Sequence, residues 1–232
     1  MASRPRIAIL GRFTESASAL RYRGVISARA LLDAVWAAGG DPVTLLPGDD
    51  PEALDWSARL AGFGAVLLAG GGDIDPRHYG GDHQHHSVYD VDQVQDTADL
   101  SLASYCLTFG MPTLAVCRGM HIVNVARGGS LIVDMPKNHR NVVQEIRLGE
   151  GSAPLGIGDD RVTISCYHHQ AIDRLGAGME VISRSDDGTV EAVVIDAPAW
   201  AVGVQWHPED TWSTDPAQVR LLRTLVEHAR GR

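Results

Sequence analysis

A chain of 232 residues with 44% hydrophobic content can bury one sizeable core, and the expectation is a single domain over residues 1–232. A formal net charge of −9 argues against a nucleic-acid or anionic-membrane partner, either of which rewards clustered Lys and Arg, and so points to small-molecule chemistry. The apolar run of MASRPRIAIL is too short for a secretory signal, no segment has the length of a membrane span, and Cys106, Cys117 and Cys166 form no CxxC pair or disulfide framework; the expected compartment is the cytoplasm.

Along the chain, RIAIL at 6–10 reads as a strand, followed by a stretch in which Val25, Ala28, Leu32 and Trp36 recur at helical spacing until Gly39-Gly40 closes it. A short apolar run from Val43 to Leu46 comes next, then a helix from 51, then GAVLLAG at 64–70, apolar enough to be a strand buried on both faces. A second helix is expected from about Thr97 to Phe109, with Ala98, Leu102, Cys106 and Phe109 on one face and Gly110 and Pro112 ending it. TLAV at 113–116 follows as a strand. This alternation predicts an α/β fold, a doubly wound and mostly parallel sheet flanked by helices, whose ligands sit beyond the carboxyl ends of the strands.

From about 136 to 206 the pattern changes to short alternating runs. MEVISR, Asp187-Gly188 and TVEAVVI read as a hairpin, so this half is an antiparallel extension of the sheet. The last helix opens at Asp215-Pro216-x-Gln218, an N-cap with proline in the first turn and a box-type glutamine.

Cys117 stands between the strand TLAV and the helix-like RGMHIVNVA, in the setting Ala115-Val116-Cys117-Arg118-Gly119. That is a nucleophile-elbow pattern with cysteine as the attacking group. The sharp turn lifts the side chain out of the sheet, the helix N-terminus favours a thiolate, and the adjacent backbone N–H can face an oxyanion. Cys106, on an apolar helical face, reads as core packing, and Cys166 as a packed small residue.

AVGVQWHPED at 201–210 begins as a strand and ends in His-Pro-Glu. If extended geometry persists through the proline, His207 and Glu209 share a side, and the carboxylate can hold the imidazole in the tautomer that takes a proton from a thiol. The cysteine and the histidine lie about ninety residues apart, so the fold has to join them. Leu68-Ala69-Gly70-Gly71-Gly72-Asp73 leaves another strand end, where glycine N–H groups can approach a ligand and supply an oxyanion donor; a P-loop or dinucleotide spacing is missing. The His83, His85, His86 loop with Asp82, Asp90 and Asp92 lacks regular ligand spacing, so it is read as a solvated loop and no metal is expected.

With these residues in hand, the sequence resembles the class I glutamine amidotransferase superfamily and, within it, the gamma-glutamyl-gamma-aminobutyrate hydrolase family. GGGDIDPRHYG at 70–80, PTLAVCRGMHIVNVARGGSL at 112–131, YHHQAI at 167–172, DDGTVEAV at 186–193 and AVGVQWHPE at 201–209 look like that family's blocks in the family's order. The resemblance implies a flavodoxin-like core and a catalytic triad of Cys117, His207 and Glu209. It also implies backbone oxyanion donors at Gly71 and Arg118, substrate contacts from Gly70, His121, Tyr167 and His168, a gamma-glutamyl substrate and no cofactor. Two positions depart from the pattern: His121 stands where the family's elbow carries glutamine, and Ser165-Cys166 where it carries Asn-Ser. Both fall in the recognition pocket, so a shifted acyl group is open. A free-standing hydrolase is the leading reading, ahead of a glutaminase subunit feeding ammonia to a synthase and of a catalytically silent binding protein. The amine side of the substrate and any homo-oligomer are not specified by the sequence.

Overall fold

The computed structural model describes residues 3–48, 50 and 53–232. In chain order its elements are β1 (Arg6–Leu10), β2 (Arg12–Thr14), β3 (Gly24–Ile26), α1 (Arg29–Ala38), β4 (Asp41–Leu45), α2 (Trp56–Arg59), β5 (Ala65–Leu68), α3 (Gln93–Phe109), β6 (Thr113–Val116) and α4 (Arg118–Ala126). They continue with β7 (Ser130–Ile132), β8 (Val142–Leu148), β9 (Arg161–Cys166), β10 (Ala171–Arg174), β11 (Met179–Arg184), β12 (Val190–Ile195), β13 (Ala201–Val204), α5 (Pro208–Thr211) and α6 (Pro216–Arg230).

Among the described residues the main sheet has nine strands in the order β4-β1-β5-β6-β13-β12-β11-β8-β9. The first five pair in parallel; from β13 outward every pairing is antiparallel. Taken by themselves, the parallel strands run second, first, third, fourth, fifth in chain order, the flavodoxin-like winding, whose switch point lies between β1 and β5. This is the α/β fold with an antiparallel extension that the sequence predicts. AVLL and TLAV are apolar along their whole length because helices cover both faces: α1 and α6 pack on one side, α2, α3 and α4 on the other.

Several boundaries move. Val25 lies in β3, paired to β2, and the first helix begins only at Arg29; Trp36 sits on its solvent side beneath the Arg4 guanidinium. The start of the helix expected from 51 lies outside the described residues, and its visible turn is Trp56–Arg59. Helix α3 begins at Gln93, one turn before Thr97, because Asp92 caps it by accepting from the N–H groups of Val94 and Gln95. Its buried face is Ala98, Leu102 and Cys106, whereas Phe109 is exposed and stacks on Tyr105. At α6, Asp215 caps Ala217 as expected, while Gln218 accepts from the Trp206 indole and donates to the Thr163 carbonyl, tying the helix to the end of β13 and to β9.

The close approach of α6 to the sheet depends on Gly64, where an added Cβ would lie 2.3 Å from the Ala229 carbonyl oxygen. Backbone cannot swing aside as a side chain can. Gly64→Ala is therefore expected to destabilise the fold by about 1–3 kcal/mol, read as a lower urea midpoint with an unchanged slope.

Candidate active site

The parallel register places Val116 beside Val204, so Cys117 leaves β6 where Gln205 leaves β13, and the Cys117 N–H donates to the Val204 carbonyl at 2.8 Å. Cys117 then takes φ 50° and ψ −109°, a conformation an L-residue seldom adopts, and α4 starts at the next residue. This is the strained elbow that Val116-Cys117-Arg118-Gly119 predicts. Gly119 allows it, since a Cβ there would sit 2.2 Å from the Leu68 carbonyl oxygen.

Beneath the elbow Arg118 is buried and paired with two buried carboxylates of α3: Nη2 donates to Asp96 at 2.6 Å and Nη1 to Asp99. Asp96 also accepts the Asp75 N–H at 2.8 Å, which ties in the loop after β5. In the sequence Arg118 stands out only for its backbone N–H. The available signal was Asp96 and Asp99 on the face of α3 otherwise made of Ala98, Leu102 and Cys106, because carboxylates are rarely buried unless paired.

His207 and Glu209 meet, though not by strand alternation. His207 is the last extended residue and Pro208 starts α5, so Glu209 reaches back from a helical turn and accepts from Nδ1 of His207 at 2.8 Å. Proline suits this first helical position because its fixed φ is already helical and it has no N–H to leave unsatisfied. The His207 N–H donates to the Ser165 carbonyl at 2.8 Å, and the Ser165 hydroxyl bonds Asp210, so the Ser165-Cys166 departure lies directly under the histidine turn.

The ring of His207 and Cys117 converge on Gly70. A Cβ at Gly70 would lie 2.8 Å from Cε1 of His207 and 3.7 Å from Cβ of Cys117. Burial lowers the basicity of His207, but the neighbouring Cys117 sulfur and the Glu209 carboxylate more than offset it and hold the imidazole above its usual range. With Nδ1 spent on Glu209, Nε2 is the nitrogen left over, buried and with no partner.

Two hollows flank this pair. On one side a cavity of about 640 Å³ at the switch point is lined by Arg12, Arg23, Gly70, His207 and Glu209 among others. Across from it a narrow recess holds Cys117, Gly71, His121, Tyr167 and His168. The walls of the recess are joined by His169, which bridges Asp73 of the glycine loop at 2.9 Å and Asp134 at 3.0 Å; these carboxylates, against the cost of burial, raise its basicity. Tyr167 stands exposed at the mouth, and His121 and His168 are buried. Gly70 lines the wide cavity instead of the recess. Gly71 has Arg12 packed on it, leaving no space for a side chain.

His121 forms one link of a relay. Its Nε2 bonds Oε1 of Gln205 at 2.7 Å, and Nε2 of Gln205 donates to the Cys117 sulfur at 3.7 Å. The imidazole therefore orients an amide that steadies the sulfur. The sequence motifs mark neither Gln205 nor Arg12, whose Nη1 is buried without a partner, although Gln205 sits one residue beyond a strand end that neighbours the elbow, a usable signal.

Cys166, His168 and Glu191 repeat the residue types of a triad close by, but not its wiring. His168 bonds the Gln170 carbonyl through Nδ1, Glu191 faces His139 at 3.5 Å, and burial pushes the Cys166 thiol far above its usual range. Cys106, buried in α3, is likewise held up to about 12. The His83 to His86 loop lies near the recess, with His86 lining the hollow that Tyr167 and His169 share.

The Peptidase C26 family model matches residues 5–209. A glutamine amidotransferase-type protein of Mycobacterium tuberculosis is 33% identical over 211 residues, covering 86% of this chain and 66% of its own length, so the chain spans about two thirds of that relative. The gamma-glutamyl-gamma-aminobutyrate hydrolase PuuD of Escherichia coli K12 is 28% identical over 219 residues, covering 84% of this chain and 82% of that protein. The crystal structure of a glutamine amidotransferase from Thermotoga maritima superposes with a TM-score of 0.64 at 16% identity, over 98% of this chain and 99% of the other, and shares the fold. No helix among the described residues is long and apolar enough to cross a membrane.

The buried relay has a pH signature. Burial, partly offset by Gln205 and Asp73 and reinforced by Arg118 and His169, lowers His121 to about 4. The unfolded chain takes up this proton below the ordinary histidine value and the folded chain does not, so the stability is present above about pH 6.5 and lost as pH falls towards 4. Between about pH 7 and pH 5 the loss from this group is about 2 kcal/mol, and His121→Gln is expected to remove it from the pH dependence of the urea midpoint.

Proposed function

This chain belongs to the Peptidase C26 family of glutamine amidotransferase-like hydrolases, and we propose that it cleaves the gamma-glutamyl amide bond of a gamma-glutamyl amine through a thioester on Cys117. The observation that carries this reading is the orientation of His207: Glu209 engages Nδ1, leaving Nε2 unpartnered at the point where ring and sulfur converge. The imidazole takes the thiol proton, the sulfur attacks the side-chain carbonyl, and the oxyanion is received by the N–H groups of Gly71 and Arg118. Arg118 is the first residue of α4, so its N–H has no intrahelical acceptor. His207 then returns the proton to the departing amine, and water activated by the same ring releases the acid and restores the thiol.

The recess of His121, Tyr167 and His168, with space of only about 10 Å³ as it stands, opens to receive the glutamyl head, and the wide cavity receives the amine. A space of about 640 Å³ exceeds what ammonia needs, which favours a substituted amide over free glutamine. Arg12 supplies a cation on the amine side, where Asp90 engages its other terminal nitrogen at 3.0 Å, and so suits an amine that bears a carboxylate.

A panel of gamma-glutamyl amines scored by free glutamate tests this. The isolated wild type is expected to turn over one or more of them, and Cys117→Ala to lower kcat by at least about 10⁴-fold, since no other group on this path forms the acyl intermediate. Protein that is inert alone and gains glutaminase activity with a synthase is a subunit instead. Labelling by a glutamine-analogue electrophile no faster at Cys117 than at Cys106 or Cys166 marks a silent binding protein.

The cavity assignment has a separate consequence. Arg12→Gln is expected to raise KM about tenfold or more for amines with a terminal carboxylate and to leave uncharged amines within about twofold, measured as KM and kcat across the same panel.

A further inference from the structure

We propose that His139, Cys166, His168 and Glu191 form a binding site for one zinc ion that braces the wall of the recess beside Cys117. One ligand atom from each of the four lies within 4.8 Å of those from the other three, and all four residues are buried. They come from distant parts of the chain. Cys166 ends β9, His168 follows it, Glu191 lies in β12, and His139 is in the loop that precedes β8.

Three of the four residues hold an atom that the protein's own hydrogen bonds leave poorly satisfied. Nε2 of His168 and Oε2 of Glu191 are buried with no hydrogen-bond partner, and Nδ1 of His139 has only Oε1 of Glu191 near it, at 3.5 Å and outside good hydrogen-bond geometry. Such atoms are costly unless something satisfies them, and three in one cluster point to a common occupant. A cation fits better than water: two imidazole nitrogens, a thiolate and a carboxylate are donors to a metal, and the two anions cancel a divalent charge. Thiolate with imidazole and carboxylate in a four-donor set suits zinc, whereas calcium and magnesium take oxygen.

The opposite nitrogen of each histidine is already engaged. Nε2 of His139 bonds Asp187 at 2.8 Å, and Asp187 is itself fixed by the Ser185 hydroxyl and the Thr189 N–H. Nδ1 of His168 bonds the Gln170 carbonyl at 2.9 Å. Metal-bound histidines are oriented in this way, by a carboxylate or a carbonyl on the far nitrogen. The His139 N–H also donates to the His168 carbonyl at 2.9 Å, so the two ligands share a backbone link. In a loaded tetrahedral site the donors stand about 3.3–3.8 Å apart, so binding contracts the cluster by about an ångström.

All four donors come from protein, which makes this a structural ion and not a catalytic one. Its effect reaches the active site by position. His168 sits in the segment Tyr167 to Gln170 that walls the recess, and the Glu191 carbonyl accepts the N–H of Gln205, whose side chain steadies the Cys117 sulfur. The sequence leads to no metal anywhere in the chain, and the proposed site uses none of the His83 to His86 loop. No regular spacing announces it, because the donors are assembled by an antiparallel sheet and not by one element.

The test is elemental analysis of the full-length, untagged protein, followed by zinc titration against a chromophoric chelator and by cobalt substitution. About one zinc per chain is expected. The cobalt form should show intense tetrahedral d–d bands and a thiolate charge-transfer band that disappears in Cys166→Ser. His139→Gln and Glu191→Gln should weaken zinc at least tenfold, and zinc should raise Tm in the wild type but not in these variants. If the core substitutions fail to fold, Asp187→Asn, which touches only the outer side of His139, should still weaken zinc about 10–100-fold. Cys117→Ala and the combined His83, His85 and His86→Gln variant should keep the full stoichiometry. Zinc well below one per chain after reconstitution, or zinc that survives Cys166→Ser, His139→Gln and Asp187→Asn, overturns the proposal.

Discussion

A guanidinium buried under a strained turn organises this molecule. Arg118 is buried and held between Asp96 and Asp99, and it is the residue directly after Cys117. Two carboxylates against one cation leave a surplus negative charge in the core. The Asp75 N–H on Asp96 and the Gln95 amide on Asp99 help disperse it. The pairs lock α3, α4 and the loop after β5 together, and with these fixed the elbow has nowhere to relax to. The positive φ of Cys117 is therefore sustained by packing on every side and not by local preference.

The two halves of the sheet divide the work. The parallel half provides strand ends that all open towards one edge, so β5, β6 and β13 deliver the glycine loop, the elbow and the histidine turn to the same place. The antiparallel half carries the recess: β9 runs into Tyr167 and His168, and β12 lies beside β13 under Gln205. Asp73, His169 and Asp134 clamp the two contributions across the opening, with an imidazole shared by carboxylates from either side.

How much of this could be read from the residues follows from the range of the interactions. Buried parallel strands, the elbow and the capped last helix announce themselves because their signals are local: apolar runs, small residues flanking a cysteine, Asp before Pro. The start of α3 is hidden because its first turn is polar; Gln95 and Asp96, with Asp99 one turn on, serve a cation about twenty residues further along. The helical spacing that reaches back to Val25 runs there into a strand of the small β2–β3 pair, where an apolar residue faces a neighbour that no periodicity reveals. Strand alternation pairs His207 with Glu209 on paper, whereas the backbone pairs them through a helical turn. His121, Gln205 and the group of His139, Cys166, His168 and Glu191 depend wholly on which strands become neighbours, and a nine-stranded order is not encoded in any one segment.

The turn at Pro208 has a mechanical corollary. Imidazole and carboxylate are carried by residues with one proline between them, on a segment stiffened at both ends, by the Ser165 carbonyl on one side and by the Ser165 hydroxyl on Asp210 on the other. They move as one cassette. Of the two gaps in a chain of sulfur, ring and carboxyl, the second is preset, so any tightening that accompanies arrival of a ligand is confined to the first.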